Sequence, residues 1–225
     1  MEGKIVVTGA SGNLGTAVCQ KLLADGGARV VALVHRESSR AALGEKLGAR
    51  AEVRVAELSS ETSVAAALEG LGTLYGAVNC AGGWKGGTPV AQTPLDTFDE
   101  MIAVNVKSAF VVSREALRRG AKRIVNVASF TAAQLAGMSG SAAYNLSKAA
   151  VVALTKAIAE EGAQAGVRCN CVAPGILRTG ENERAMPGAD SARWIAIEDV
   201  ASAIAFLIAG EADSVNGAVL TLPSR

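Results

Sequence analysis

Apolar runs and helix-period segments alternate along the whole chain. Short, nearly continuous apolar runs fall at residues 4–8, 29–35, 51–56, 74–79, 123–128, 167–172 and 218–222. They are rich in Val, Ile, Ala and Leu and lack alternation with polar residues, the pattern of strands covered on both faces. Between them, apolar positions recur at three- and four-residue spacing over 14–24, 38–47, 62–71, 98–119, 144–162 and 198–209. Seven strands and six helices in strict alternation predict a single-domain, doubly wound α/β fold over residues 1–225, a seven-stranded parallel sheet with helices on both faces. Only 175–197 lacks a clear period. It is polar and charged, and in a compact domain a stretch of that length reads as a lid or binding element.

Composition narrows the function classes. Half of the 225 residues are apolar and 19% are charged, enough for a buried core and far from a disordered composition. Lys and Arg number 22 against 21 Asp and Glu, without a run of like charge, and only 4% of residues are aromatic. The chain therefore offers neither a basic face nor stacking platforms for nucleic acid, and no nucleic-acid partner is expected. Cys19 and Cys80 stand alone and Cys169 and Cys171 form a C-x-C in a strand-like run, so buried, reduced thiols are expected and no metal site. No basic-then-apolar leader precedes the first strand, and the apolar stretch 200–209 is half the length of a bilayer span. The expectation is a cytoplasmic protein without a membrane partner.

The chemistry begins at the first strand end. Gly9, Gly12 and Gly15 follow a buried strand and open a helix, so the backbone can turn tightly and approach a pyrophosphate with Ser11, Asn13 and Leu14 at the helix start. The second strand ends in Val34-His35-Arg36-Glu37. Arg36 carries a donor fork matched to a 2′-phosphate and favours NADP(H), while Glu37 keeps NAD(H) possible through a ribose hydroxyl. His35, the only histidine, is expected beside adenine or in solvent. Tyr144 and Lys148 lie one helical turn apart on one face, where an ammonium favours the phenolate. The strand 124–128 delivers Ser129 at its carboxyl end, and Asn79-Cys80-Ala81-Gly82 ends the fourth strand with small residues.

These residues resemble the short-chain dehydrogenase/reductase family from Lys4 to Leu222. Thr8-Gly9…Gly12…Gly15 is similar to its cofactor turn, in a G-x2-G-x2-G spacing. Asn79-Cys80-Ala81-Gly82 is similar to its N-N-A-G segment with Cys at the second position, and Pro174-Gly175 with Ile176 and Thr179 to its nicotinamide-binding segment. Asn105, Ser129, Tyr144 and Lys148 fall on its catalytic tetrad. The fifteen-residue interval from Ser129 to Tyr144 is longer than the family's usual one, so that loop is expected to be rearranged. The resemblance implies a Rossmann fold, and implies that Glu57 and Leu58, after the third strand, join the cofactor contacts with Asn79, Ala81 and Gly82. It implies Tyr144 as general acid or base, Lys148 holding the nicotinamide ribose and lowering the tyrosine pKa, Ser129 on the reacting oxygen and Asn105 holding a water of the proton relay.

The segments 81–87 and 186–194 further resemble the dihydropteridine-reductase branch, and they contain Trp84 and Trp194, the only tryptophans. Both are expected at the substrate side, bordering one mouth where a flat pterin could stack. The reading is an NAD(P)-dependent oxidoreductase acting on a carbonyl or alcohol of a small molecule. Its alternatives are a pterin-reducing enzyme and a non-catalytic nucleotide-binding redox sensor. The helix 144–161, apolar and small-sided around much of its circumference, needs cover beyond the sheet and points to a homo-oligomer. The resemblance agrees, implying a dimer or tetramer.

Overall fold

The computed structural model describes residues 3–224. β1 (Gly3–Thr8) leads through the glycine turn into α1 (Asn13–Ala24), then β2 (Ala28–Val34), α2 (Ser38–Leu47), β3 (Ala51–Val55), α3 (Glu61–Ala67) and β4 (Gly76–Asn79). The chain continues through α4 (Leu95–Met101), a π-helical segment (Ile102–Lys107), α5 (Ser108–Arg118), β5 (Arg123–Val127), α6 (Phe130–Gln134) and α7 (Ala142–Gly162). It ends with β6 (Arg168–Pro174), α8 (Gly180–Ala185), α9 (Ile197–Ile208) and β7 (Val219–Leu222). All seven strands form one parallel sheet in the order β3-β2-β1-β4-β5-β6-β7.

The unbroken apolar strands have a direct structural cause. Ile5 and Val7 face a core shared with Val18 and Leu22 of α1, Leu43 of α2 and Ile204 of α9. Val6, between them, turns to the opposite core with Val64 of α3, Val112 of α5 and Ile158 of α7. Successive side chains point to opposite faces, and both faces are dry, so most positions are apolar. Each fully buried aliphatic side chain of this kind contributes about 1.5–3 kcal/mol. The strand order reverses between β1 and β4, which opens a crevice at the carboxyl edge where such sheets bind their ligands.

Three local features depart from the pattern. The helix expected over 98–119 starts earlier, at Leu95 after Pro94, and is interrupted by the π segment. A π turn has a wider period than the 3.6 that hydrophobic spacing reads, so only tertiary contacts reveal it. Secondly, α6 and α8 are too short to show a period. Each starts from a side-chain cap: Ser129 Oγ accepts from Ala132 N–H at 3.3 Å, and Thr179 Oγ1 from Asn182 N–H at 3.0 Å. Thirdly, the irregular 175–197 is tied at its base. Arg178 N–H donates to the Ile195 carbonyl at 2.8 Å and Ile195 N–H to that of Ile176 at 2.9 Å, closing a parallel bridge between Leu177 and Ile195.

Helix α7 buries several polar side chains. Its buried side holds Asn145, Ser147, Lys148 and Thr155 beside Val151 and Ile158, while Leu146, Ala153 and Ala157 face outwards. All four cysteines are free thiols, with Cys80 half-buried and the others buried. Among the described residues no helix is long and apolar enough to cross a membrane, and no group of three or more His, Cys, Asp or Glu is placed to hold a metal ion.

Candidate active site

The glycine turn is built by the lack of room for side chains. Gly9 has φ +61°, and a Cβ there would lie 2.8 Å from the Ala81 Cα. A Cβ on Gly15 would lie 2.2 Å from the Gly9 carbonyl oxygen, backbone that cannot yield. Thr8 Oγ1 accepts from Ala81 N–H at 3.0 Å, so the ends of β1 and β4 are pinned together across the crevice. The N-cap of α1 is Gly12, which makes no side-chain cap, and the first turn carries no acidic residue. Ser11, Gly12 and Asn13 are exposed there, while Leu14 and Gly15 are buried. An uncapped, positive helix end beside two small-residue strand ends suits the pyrophosphate of a dinucleotide.

At the neighbouring edge, Arg36 is exposed just beyond β2 and its guanidinium has no partner among the described residues. Glu37 instead pairs with Arg40 of its own helix at 3.1 Å. Glu57 accepts from the Ser59 backbone and hydroxyl at 3.2 and 2.9 Å, the main reason its pKa lies below the usual carboxylate value, and it sits 3.4 Å from His35. Leu58 packs against the core under α3.

Asn105, Ser129, Tyr144 and Lys148 converge at the carboxyl ends of β4 and β5. Lys148 is buried, and its Nζ donates to the Val127 carbonyl at 2.9 Å. Burial pulls its pKa from 10.5 to about 8, opposed by the Cys171 and Cys80 thiols. Gly82 is obligatory against it, because a Cβ there would lie 2.7 Å from Asn105 Oδ1 and 2.9 Å from Lys148 Nζ. Tyr144 is half-buried, and burial raises its pKa above the ordinary phenol value, with a hydrogen bond to Ser129 pulling the other way. The pKa thus moves opposite to the expected depression by Lys148: desolvation of the phenolate outweighs the hydrogen bond to Ser129, and the Lys148 ammonium is turned to a backbone carbonyl. In the protein without ligand Tyr144 is a neutral phenol, a proton donor.

Asn105 lies inside the π segment with its amide fully engaged. Nδ2 donates to the Gly83 carbonyl at 3.1 Å and to Ser147 Oγ at 2.9 Å, while Oδ1 accepts from Gly83 N–H at 3.0 Å. Its side chain clamps the loop after β4 to α7. The side chain of Asn79 is also occupied within the protein. It turns into the core, donating to Ser113 Oγ at 2.9 Å and Asn126 Oδ1 at 2.8 Å, away from the cofactor crevice. Asn126 passes the chain on to Thr155 at 2.9 Å, so β4, β5, α5 and α7 share one buried polar network.

On the far side of the crevice Pro174 is buried, Gly175 N–H donates to the Leu222 carbonyl at 2.8 Å, and Ile176 N–H to Ser224 Oγ at 3.1 Å. Thr179 caps α8. The two tryptophans are both at the carboxyl edge but are not brought together. Trp84, 63% exposed, borders a cavity of about 260 Å³ with Thr88, Thr93, Thr97 and Ser141. Trp194, 8% exposed, borders a separate one of about 320 Å³ with Arg178, Asp199 and Leu222. The two cavities share no residue, so the indoles do not form two walls of one slot. The long Ser129–Tyr144 interval is taken up by α6, which ends at Leu135 in the left-handed region at φ 51°, and by a loop whose Gly140 carbonyl accepts from Gly87 N–H at 2.7 Å.

The family model described as short chain dehydrogenase matches residues 3–189. The chain belongs to the short-chain dehydrogenase family. It is 34% identical to 2-(R)-hydroxypropyl-CoM dehydrogenase of Xanthobacter autotrophicus, over 99% of this chain and 97% of that one. It is 31% identical to 3beta-hydroxysteroid dehydrogenase 2 of Eggerthella lenta, over 96% and 92%. A solved short-chain type dehydrogenase/reductase from Mycobacterium ulcerans superposes with a TM-score of 0.90 at 25% identity, covering 100% of this chain and 89% of that chain. The protein is an NAD(P)-dependent oxidoreductase of this family.

The buried ammonium gives a pH signature. The folded pKa of Lys148 is about 8, below its ordinary 10.5. Between these values the unfolded chain binds the extra proton, so this group makes stability rise with pH across that window and penalises the fold below it. Lys148→Met removes the penalty. Denaturant unfolding of the ligand-free protein is expected to show the variant gaining on wild type at pH 7, with the gain shrinking as pH rises from 8 towards 10.5. A difference that stays constant with pH would contradict a depressed Lys148.

Proposed function

We propose that the chain interconverts a carbonyl and an alcohol on a small molecule, with Tyr144 as the proton-transferring group and NADP(H) as the preferred cofactor. The observation that carries this reading is the neutral, half-buried Tyr144 phenol hydrogen-bonded to Ser129, with the Lys148 ammonium buried one helical turn behind it. The glycine turn and the α1 end would hold the pyrophosphate, and Lys148 with the 174–179 segment would hold the nicotinamide end. The bound nicotinamide supplies or takes the hydride. Tyr144 gives its proton to the substrate oxygen in reduction and is left as a phenolate, and it recovers a proton from the alcohol in the reverse direction. Ser129 donates to the same oxygen, and the nearby cationic Lys148 offsets the phenolate charge. The excursion between Leu177 and Ile195 serves as the lid.

The preference for NADP(H) rests on the edge beyond β2. Glu37 is turned back on Arg40 and Glu57 on the Ser59 turn, which leaves Arg36 as the free charged group there. A second copy of the chain would cover the outer side of α7, where Leu146 is 57% exposed in line with Ala153 and Ala157.

Tyr144→Phe is expected to keep cofactor affinity and to lose kcat by roughly 10²–10⁴-fold, since it removes only the proton donor. Turnover of a panel of ketones, quinones, 3-oxoacyl thioesters and quinonoid dihydropterin with both reduced cofactors tests it, and a variant retaining a third of the wild-type rate would remove Tyr144 from this role. Arg36→Ala is expected to weaken NADPH at least tenfold more than NADH in fluorescence titrations, because a charge-assisted hydrogen bond contributes roughly 1.5–3 kcal/mol. Equal losses for both cofactors would show that Arg36 holds no phosphate. Light scattering at micromolar concentration is expected to give a mass of at least two chains, and a monomer mass would reject the covered α7 face.

A further inference from the structure

The reading above gives no part in the chemistry to Ser147, a buried hydroxyl on α7. Ser147 Oγ donates to the Tyr144 carbonyl at 2.7 Å. A carbonyl oxygen only accepts, so the single hydroxyl proton is committed to it, and towards Asn105 the hydroxyl can only accept. Asn105 Nδ2 is therefore the atom that meets it, at 2.9 Å. The contacts to Gly83 agree with this, since Nδ2 also donates to the Gly83 carbonyl and Oδ1 accepts from Gly83 N–H. The amide has one orientation, fixed from the helix side by Ser147. What it holds in place is the cover over Lys148. Gly82, next to the clamped residue, packs so closely that a Cβ on it would stand 2.9 Å from Lys148 Nζ. That ammonium makes a single hydrogen bond among the described residues, to the Val127 carbonyl.

We propose that Ser147 is a positioning residue: by fixing the Asn105 amide it holds Gly82 and Gly83 down over the Lys148 ammonium and keeps water off it. The inference rests on the proposed carbonyl chemistry for its consequence, because Lys148 is there the cation beside the phenolate. The groups that face Lys148 are Cys171 of β6, Cys80 after β4 and, one turn away on its own helix, Tyr144. Burial raises the pKa of all three, that of Cys171 to about 11. None of them titrates near pH 8, so a step there is the lysine's own. Removing the Ser147 hydroxyl leaves a buried Asn105 amide proton without an acceptor. The amide is then free to turn, and once turned it matches neither the N–H nor the carbonyl of Gly83. The cover loosens and water reaches the ammonium. The desolvation that lowers its pKa is relieved, and the lysine stays charged to higher pH.

The experiment reads Lys148 directly in the full-length, ligand-free protein, by NMR titration with isotope-labelled lysine. Loss of a signal in Lys148→Met identifies it. In wild type its midpoint is expected near pH 8, and in Ser147→Ala it is expected to move up by about one pH unit or more. Asn105→Ala cuts the same clamp from its other end and is expected to move it in the same direction. Ser113→Ala removes a comparable buried hydroxyl, the acceptor of Asn79 Nδ2 at 2.9 Å. It is expected to lower the thermal midpoint and leave the lysine where it was. A folded Ser147→Ala or Asn105→Ala protein with the wild-type midpoint, or an equal rise in Ser113→Ala, would overturn the proposal. In turnover, kcat/KM for reduction reports the groups of the free protein and is expected to fall as the ammonium is lost. That fall should follow the lysine midpoint upwards in Ser147→Ala, and a fall that stays in place while the signal moves would overturn the part given to Ser147 in the reaction. The titration itself needs no turnover. If Tyr144→Phe proves as active as wild type, the carbonyl reading falls, while the hold of Ser147 on Lys148 is still decided by the titration.

Discussion

Burying the Lys148 ammonium at the carboxyl edge of the sheet is costly, and the surrounding structure is arranged to make it tolerable. A backbone carbonyl, that of Val127, accepts one proton at 2.9 Å. The chain opposite must carry no side chain, because a Cβ on Gly82 would collide with both Nζ and Asn105 Oδ1. Asn105 then holds the next residue, Gly83, by both its N–H and its carbonyl, which fixes how closely the loop after β4 can approach α7. To bring that amide to the right place the helix widens into a π segment, an irregularity that recurs at functional sites. A charged group that would lower its own pKa to about 8 is thus kept within reach of Tyr144 by a frame of backbone and amide groups.

The same logic explains why α7 is polar on much of its buried side. Its inner face must carry Tyr144, Asn145, Ser147, Lys148 and Thr155, each hydrogen-bonded to a neighbour, while the deeper Val151, Ile158 and Ala159 face the dry cores. The network from Asn79 through Asn126 to Thr155 joins the two central strands to this helix beneath the crevice. Asn79 Oδ1 is left without a partner there, an expense that a purely structural core would avoid. Engaged amides such as those of Asn105 and Asn126 fix one arrangement of the site, whereas apolar packing alone tolerates small sliding. The parts proposed to face the cofactor contrast with this rigidity: Ser11 to Asn13 and Arg36 are exposed.

Periodicity and glycine spacing alone determined the strand and helix order, the parallel sheet and the place of the dinucleotide turn, because these depend on burial of alternate faces and on backbone room, both written locally in the sequence. The convergence of Ser129, Tyr144 and Lys148 was legible for a related reason, since each stands at a strand end or on the first turns of a helix whose place in the sheet the alternation fixes. Tertiary structure alone decided the rest. Hydrophobic spacing does not show that Asn79 and Asn105 turn inwards, because an amide can serve core, loop or ligand and only its neighbours choose. Nor does it place Trp84 and Trp194, whose irregular segments let each indole settle over a different cavity. The balance at Tyr144, where burial outweighs the hydrogen bond to Ser129, is likewise set by how the surrounding elements pack. The hydrogen bond from Thr131 to Asn145 emerges only when α6 is packed against the first turn of α7, because a donor's orientation is fixed by the acceptors around it and not by its own residue type.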